Sequence, residues 1–104
     1  MNKIVDTPKP PYYAVIAPAE LSEDIVGYPE MAQKLIEIAQ DIPGFIGIES
    51  SYMRGFVLAV TYWESLEAIQ NWRVNAHHVI AKQNAKTKWF KKYFTRIAKV
   101  EMAY

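Results

Sequence analysis

The sequence predicts an α+β fold of ferredoxin-like type, with four strands and two helices in the order β-α-β-β-α-β around one antiparallel sheet. Three observations predict it. Short runs rich in aromatic and β-branched residues occupy positions 12–17 (YYAVIA), 45–53 (FIGIESSYM) and 56–63 (FVLAVTYW). The first and third of these runs are each followed by an apolar stripe at helical spacing. The chain closes on a run in which Phe94, Ala98, Val100 and Met102 alternate with polar residues.

The elements can be justified in order. Residues 1–11 are polar and carry Pro8, Pro10 and Pro11, which cannot donate to a ladder, so they read as an extended leader ahead of a single domain at 12–104. The first strand is apolar throughout, as a strand covered on both faces is, and Pro18 is expected to stop it. An acidic connection follows, with Ser22 as a local cap. Pro29 suits the first turn of a helix and Glu30 complements its dipole, while Met31, Leu35, Ile38 and Ile42 form its buried stripe to about Gln40. Pro43 and Gly44 end that helix, and Arg54 and Gly55 form the tight turn of a hairpin between the second and third strands. Ser65 caps the second helix, whose apolar face runs through Leu66, Ile69, Trp72, Ala76, Val79 and Ile80 to about Lys86, with a break expected near Asn75. Trp89, Phe90 and Tyr93 are expected in a short turn, and residues 94–103 in the last strand. Two helices cover only one face of a sheet whose strands are apolar on both, so a symmetric dimer, sheet against sheet, is the expected partner arrangement.

Composition narrows the function classes. The chain has 104 residues, 51% of them hydrophobic and 22% charged, which suits one modest globular core and argues against disorder. There is no Cys, so no thiolate metal site, thiol nucleophile or disulfide frame exists, in keeping with a cytoplasmic location. No apolar run approaches the roughly 20 residues that span a bilayer, and no secretory segment is visible, so no membrane is expected. Residues 68–104 hold eight bases and one acid, whereas residues 1–67 hold four bases and ten acids. The basic residues are spread over a helix and a turn, without a nucleic-acid-binding motif, and nucleic acid is not expected as a partner.

The segments GYPEMAQKLIEIAQDIPGFIGIES at 27–50, GFVLAVTYWESLEAIQNW at 55–72 and NAHHVIAKQNAKTKWFKKYFTRIAKVE at 75–101 resemble the antibiotic biosynthesis monooxygenase domain family, in particular its small stand-alone bacterial members. The resemblance rests on PGF before a strand, YWES at a strand-to-helix junction and W-x-x-x-A-x-H on the second helix. It implies a dimeric α/β barrel in which two ferredoxin-like subunits stack their sheets. It also implies cofactor-independent oxidation of a small aromatic or polyketide-like molecule by O₂. Relatives in the superfamily degrade haem, and others have no assigned substrate. The chain departs from the pattern at Ala85 and Phe90, where Gly and Tyr are usual. Its His78 stands six residues beyond Trp72, whereas haem-degrading relatives place their ligand about ten beyond.

Eight side chains carry the candidate chemistry. His78 can act as a general base near neutral pH, and Asn75, one turn earlier, can orient it or a substrate oxygen. Against this stands the reading of His78 as a surface residue. His77 and His78 are consecutive on a helix and cannot share a metal, and no cluster of ligands accompanies them, so no metal is expected. Trp63 and Trp72 can wall a cavity for a flat ligand, with Trp72 also continuing the core stripe. Tyr13, Tyr52 and Tyr62 can bring phenols to the same space. Arg96, with Lys99 beyond it on what reads as the same strand face, can meet an anionic ligand or an acid of the second subunit. Three functions are therefore weighed: a cofactor-free monooxygenase, a non-catalytic dimeric ligand-binding or stress-related module, and a haem-binding or haem-degrading protein.

Overall fold

The structure, a computed structural model, describes residues 3–83 and 88–104. The elements run β1 (Tyr12–Leu21), α1 (Tyr28–Gln40), β2 (Phe45–Met53), β3 (Phe56–Trp63), α2 (Leu66–Gln83), β4 (Phe90–Tyr93) and β5 (Arg96–Val100). They form one five-stranded antiparallel sheet with the order β2-β3-β1-β4, in which β5 also pairs with β1. The α+β, ferredoxin-like expectation holds, and the sheet is open rather than closed on itself.

Alternation along β3 assigns the two faces. Thr61 and Trp63 are buried against the helices, where Trp63, Val15, Ala39, Ala68 and Ile69 form one core cluster. Val57 and Ala59 share that parity, and register places Ala17 and Ala19 of β1 and Ser50 and Tyr52 of β2 beside them. Phe56, Leu58, Val60 and Tyr62 therefore point to the opposite, outer face. Among the described residues no helix covers that face, and Met53, Phe56 and Leu58 are 68%, 46% and 38% exposed.

Several boundaries differ from expectation for identifiable reasons. Strand β1 continues through Pro18 to Leu21. Along its free side, β1 pairs with β5 up to Ile16 and with β4 from Ala19, so the missing N–H of Pro18 falls where the ladder changes partner. Phe94 N–H donates to the Pro18 carbonyl across that junction at 3.1 Å. The final strand is accordingly shorter than expected, Arg96–Val100, and a further strand precedes it, so Phe90 and Tyr93 belong to β4 rather than to a turn. Helix α2 passes through Asn75 without a break, because the Asn75 amide bonds back to the Asn71 carbonyl at 2.8 Å instead of competing for the next turn. Its far end, expected near Lys86, and Ala85 both lie outside the described residues.

Helix ends follow sequence chemistry in part. Ser65 Oγ accepts from Ala68 N–H, the expected cap. Helix α1 has no side-chain cap: Gly27 stands there in the left-handed region. Ser22 instead ties the β1 end to the segment just before β4, donating from Oγ towards the Asp24 and Lys88 carbonyls.

The leader crosses the outer face. Val5 N–H donates to Glu49 Oε2 at 2.9 Å, and Tyr12 Oη donates to Thr7 Oγ1 at 2.9 Å. The Val5 methyls lie over Gly47, so close that a Cβ there would meet them at 2.6 and 2.9 Å.

Candidate functional site

Two aromatic groups hold the helices at opposite ends of the sheet. At one end Trp63 has no solvent exposure, and its ring lies 5.1 Å from Phe45 and 5.7 Å from Trp72. Its indole N–H donates to Thr61 Oγ1, two residues earlier on the same face, so the buried polar atom is satisfied. Trp72 reaches across from α2 to α1, its N–H pointing at the Leu35 carbonyl at 3.4 Å. Tyr13 pairs directly with Trp63 and packs on the same cluster.

At the other end, Trp89 and Met31 are buried with Tyr28, Leu35, Val79 and Ile80 around them. Trp89 N–H donates to the Val26 carbonyl, and the Tyr28 ring stands edge-on to both Trp89 and Phe90, 5.8 Å from each. Burial pushes the Tyr28 hydroxyl above its ordinary pKa, and the nearby Tyr52 phenol adds to the effect.

Between these ends the helix-facing side of the sheet carries Ala17, Ala59 and Ser50, which are direct neighbours across three strands. All three are half-buried. These short side chains lie between the Trp63–Trp72 group at one end and the Tyr28, Tyr52 and Trp89 group at the other. The protonated Tyr28 hydroxyl is a donor at neutral pH.

The residues expected from sequence are thus only partly gathered. Trp63, Trp72 and Tyr13 share one core cluster, and Tyr52 stands with Tyr28 at the far end. His78 is exposed, roughly 120° around α2 from Trp72. Asn75 is exposed as well, its amide engaged by Asn71. Arg96 lies on the outer face, with its guanidinium 4.7 Å above the Phe94 ring, in a cleft of about 210 Å³ that also takes in Lys92, Glu20 and Phe56. Lys99 does not accompany it: Arg96 pairs with Ile16 and Lys99 with Tyr13, so three-residue spacing puts them on opposite faces. Tyr28, Ser50 and the two alanines escaped the sequence reading, because only cross-strand register sets them side by side.

The outer face holds a second polar group. Tyr62 Oη donates to Glu49 Oε1 at 2.6 Å, and Tyr12 stands edge-on to Tyr62 at 6.0 Å. Partial burial, followed by the Glu49 hydrogen bond and charge, pushes the Tyr62 phenol up to about 12. The same bond, with that from Val5, holds the Glu49 carboxyl below its usual range.

Solved structures share this fold at low sequence identity. SO0527 from Shewanella oneidensis superposes with a TM-score of 0.74 at 14% identity, over 89% of this chain and 94% of its own. A Nitrosomonas europaea protein, provisionally named an antibiotic biosynthesis monooxygenase, gives 0.72 at 12% over 86% and 89%. A mutant form of SnoaB from Streptomyces nogalater, a cofactor-independent oxygenase, gives 0.72 at 7% over 88% and 95%. The fold is that of the antibiotic biosynthesis monooxygenase domain proteins. By sequence, the chain is 41% identical over 102 residues to the uncharacterized protein YqjZ of Bacillus subtilis (strain 168), covering 97% of this chain and 90% of that one. The chain belongs to the same family as YqjZ. No family model matches the sequence.

Proposed function

We propose that this protein is a cofactor-independent monooxygenase whose substrate is a small hydroxylated aromatic or polyketide-like molecule bound on the helix-facing side of the sheet. The single observation that carries this reading is the row of short side chains Ala17, Ala59 and Ser50 between two aromatic groups, in a fold shared with an oxygenase of that kind. A CH₂ flanked by aromatic rings, acidified by a neighbouring carbonyl, loses a proton to give a delocalised anion. The anion donates electrons to O₂; one oxygen atom becomes a carbonyl and the other leaves as water with the two hydrogens. The protein supplies a water-poor slot and a donor for the anion's oxygen, a role that suits the Tyr28 hydroxyl.

The exposed outer strip of Met53, Phe56 and Leu58 supports a second copy as partner, stacked sheet on sheet. Oxygen uptake tests the activity reading. With an anthrone-type substrate, the metal-free and flavin-free protein is expected to consume one O₂ per substrate, and Ala59→Leu, which adds bulk to the row of short side chains, is expected to abolish uptake. His78→Ala is expected to leave uptake unchanged, given the outward position of that ring. Substrate binding without oxygen uptake would replace the enzyme by a binding module.

A further inference from the structure

The leader is fastened to the sheet at three points that involve different chemistry. Val5 N–H donates to Glu49 Oε2, Thr7 accepts from Tyr12, and the Val5 methyls fill the space that the absent side chain of Gly47 leaves. Glu49 is the centre of the arrangement. One of its oxygens holds the leader and the other holds the Tyr62 phenol, so a single carboxylate joins the leader, β2 and β3. We propose that residues 3–11 form a strap latched by the Glu49 carboxylate, closed over the Glu49–Tyr62 pair at neutral pH and opened when that carboxylate takes up a proton.

The physical basis is the donor count. An ionised carboxylate accepts from both N–H and O–H, whereas a protonated one offers a weaker acceptor and brings a hydrogen that must find its own partner. The groups facing Glu49 are the Tyr62 phenol from β3, the Val5 amide from the leader and, beyond Tyr62, the Tyr12 phenol from β1; Lys3 and Asp6 lie on the leader near Val5. Among the described residues none of the basic side chains is bonded to Glu49. Since the folded carboxyl sits below its unfolded range, the latch holds above the ordinary carboxylate range and is lost as pH falls through the lowered value. Closed, the strap covers the polar end of the outer face and leaves the Met53, Phe56 and Leu58 end bare. Opening uncovers Gly47 and the phenol–carboxylate pair as well, which enlarges the surface a partner can reach.

Amide hydrogen exchange at Val5, expressed as protection relative to an unstructured chain and followed by NMR from neutral to acid pH, tests the latch. Protection of about tenfold or more is expected at neutral pH, lost on acidification while the Val15 and Trp63 amides stay protected. Glu49→Ala should lack Val5 protection at every pH, and Glu49→Gln, which does not titrate, should show no pH-dependent step. Tyr62→Phe removes the larger cause of the lowered carboxyl and should move the opening to higher pH. Equal Val5 protection in the native protein and Glu49→Ala would overturn the proposal. So would loss of Val5 protection only together with the interior amides, or an opening unmoved by Tyr62→Phe.

Discussion

Tyr62 is the residue whose ionisation the fold alters most visibly, and its consequence lies at alkaline pH. Its phenol ionises at about 10.0 when unperturbed and at about 12 in the folded protein, because partial burial and the Glu49 carboxylate both disfavour the phenolate. The unfolded chain therefore releases this proton first as pH rises, so the contribution is fully present below the unfolded value and disappears between the two. Denaturation by urea at increasing pH is expected to show native stability falling across that window, with a smaller fall in Tyr62→Phe. A slope identical in the variant would remove Tyr62 as its source. The bond itself was beyond sequence reasoning: Glu49 and Tyr62 are 13 positions apart, and the bulge between Phe45 and Gly47 sets the register that brings them together. Trp63 and Trp72 were legible because their positions follow from strand parity and helical period. His78 was singled out for its chemistry, which carries no information on which way a helical ring points.

At the scale of elements, the sequence was most informative where punctuation and period agree. The hairpin of β2 and β3 has the expected bounds because Arg54 and Gly55 are the two residues of the turn, both at positive φ. Pro18 misled because a proline ends a strand only where its absent N–H is needed, and here the neighbouring strand changes at that point. Gly44, which joins α1 to β2, carries a sharper constraint. It has φ of 98°, and a Cβ there would meet the Ala68 Cβ at 2.8 Å. Backbone strain and a clash with α2 act together, so Gly44→Ala is expected to lower unfolding free energy by about 1–3 kcal/mol in urea titration. A change within error would mean that the α1–β2 junction yields more readily than the packing of Ala68 implies. The leader escaped the period-based reading altogether, since its attachment uses a backbone amide and a carboxylate on a distant strand.

At the scale of the molecule, the two faces of the sheet are used differently. The helix side sets a row of short side chains between two aromatic groups, and the outer side pairs a polar end crossed by the leader with bare apolar residues. Burial of about 25 cal/mol per Å² of apolar surface favours covering the bare end, and a second copy presents the complementary patch by symmetry. Sedimentation at micromolar concentration is expected to give a dimer, and Leu58→Glu a monomer; a monomeric native protein would leave the outer face to another partner. Among the described residues no helix is long and apolar enough to cross a membrane.

The row of Ala17, Ala59 and Ser50 is the centre of the proposed activity, whose chemistry can be read directly from the fate of oxygen. With ¹⁸O₂ and an anthrone-type substrate, mass spectrometry of the product is expected to find one heavy oxygen incorporated by the native protein and none by Ala59→Leu. Product oxygen drawn from water, or incorporation equal in the two proteins, would contradict oxygenation on the helix-facing side of the sheet.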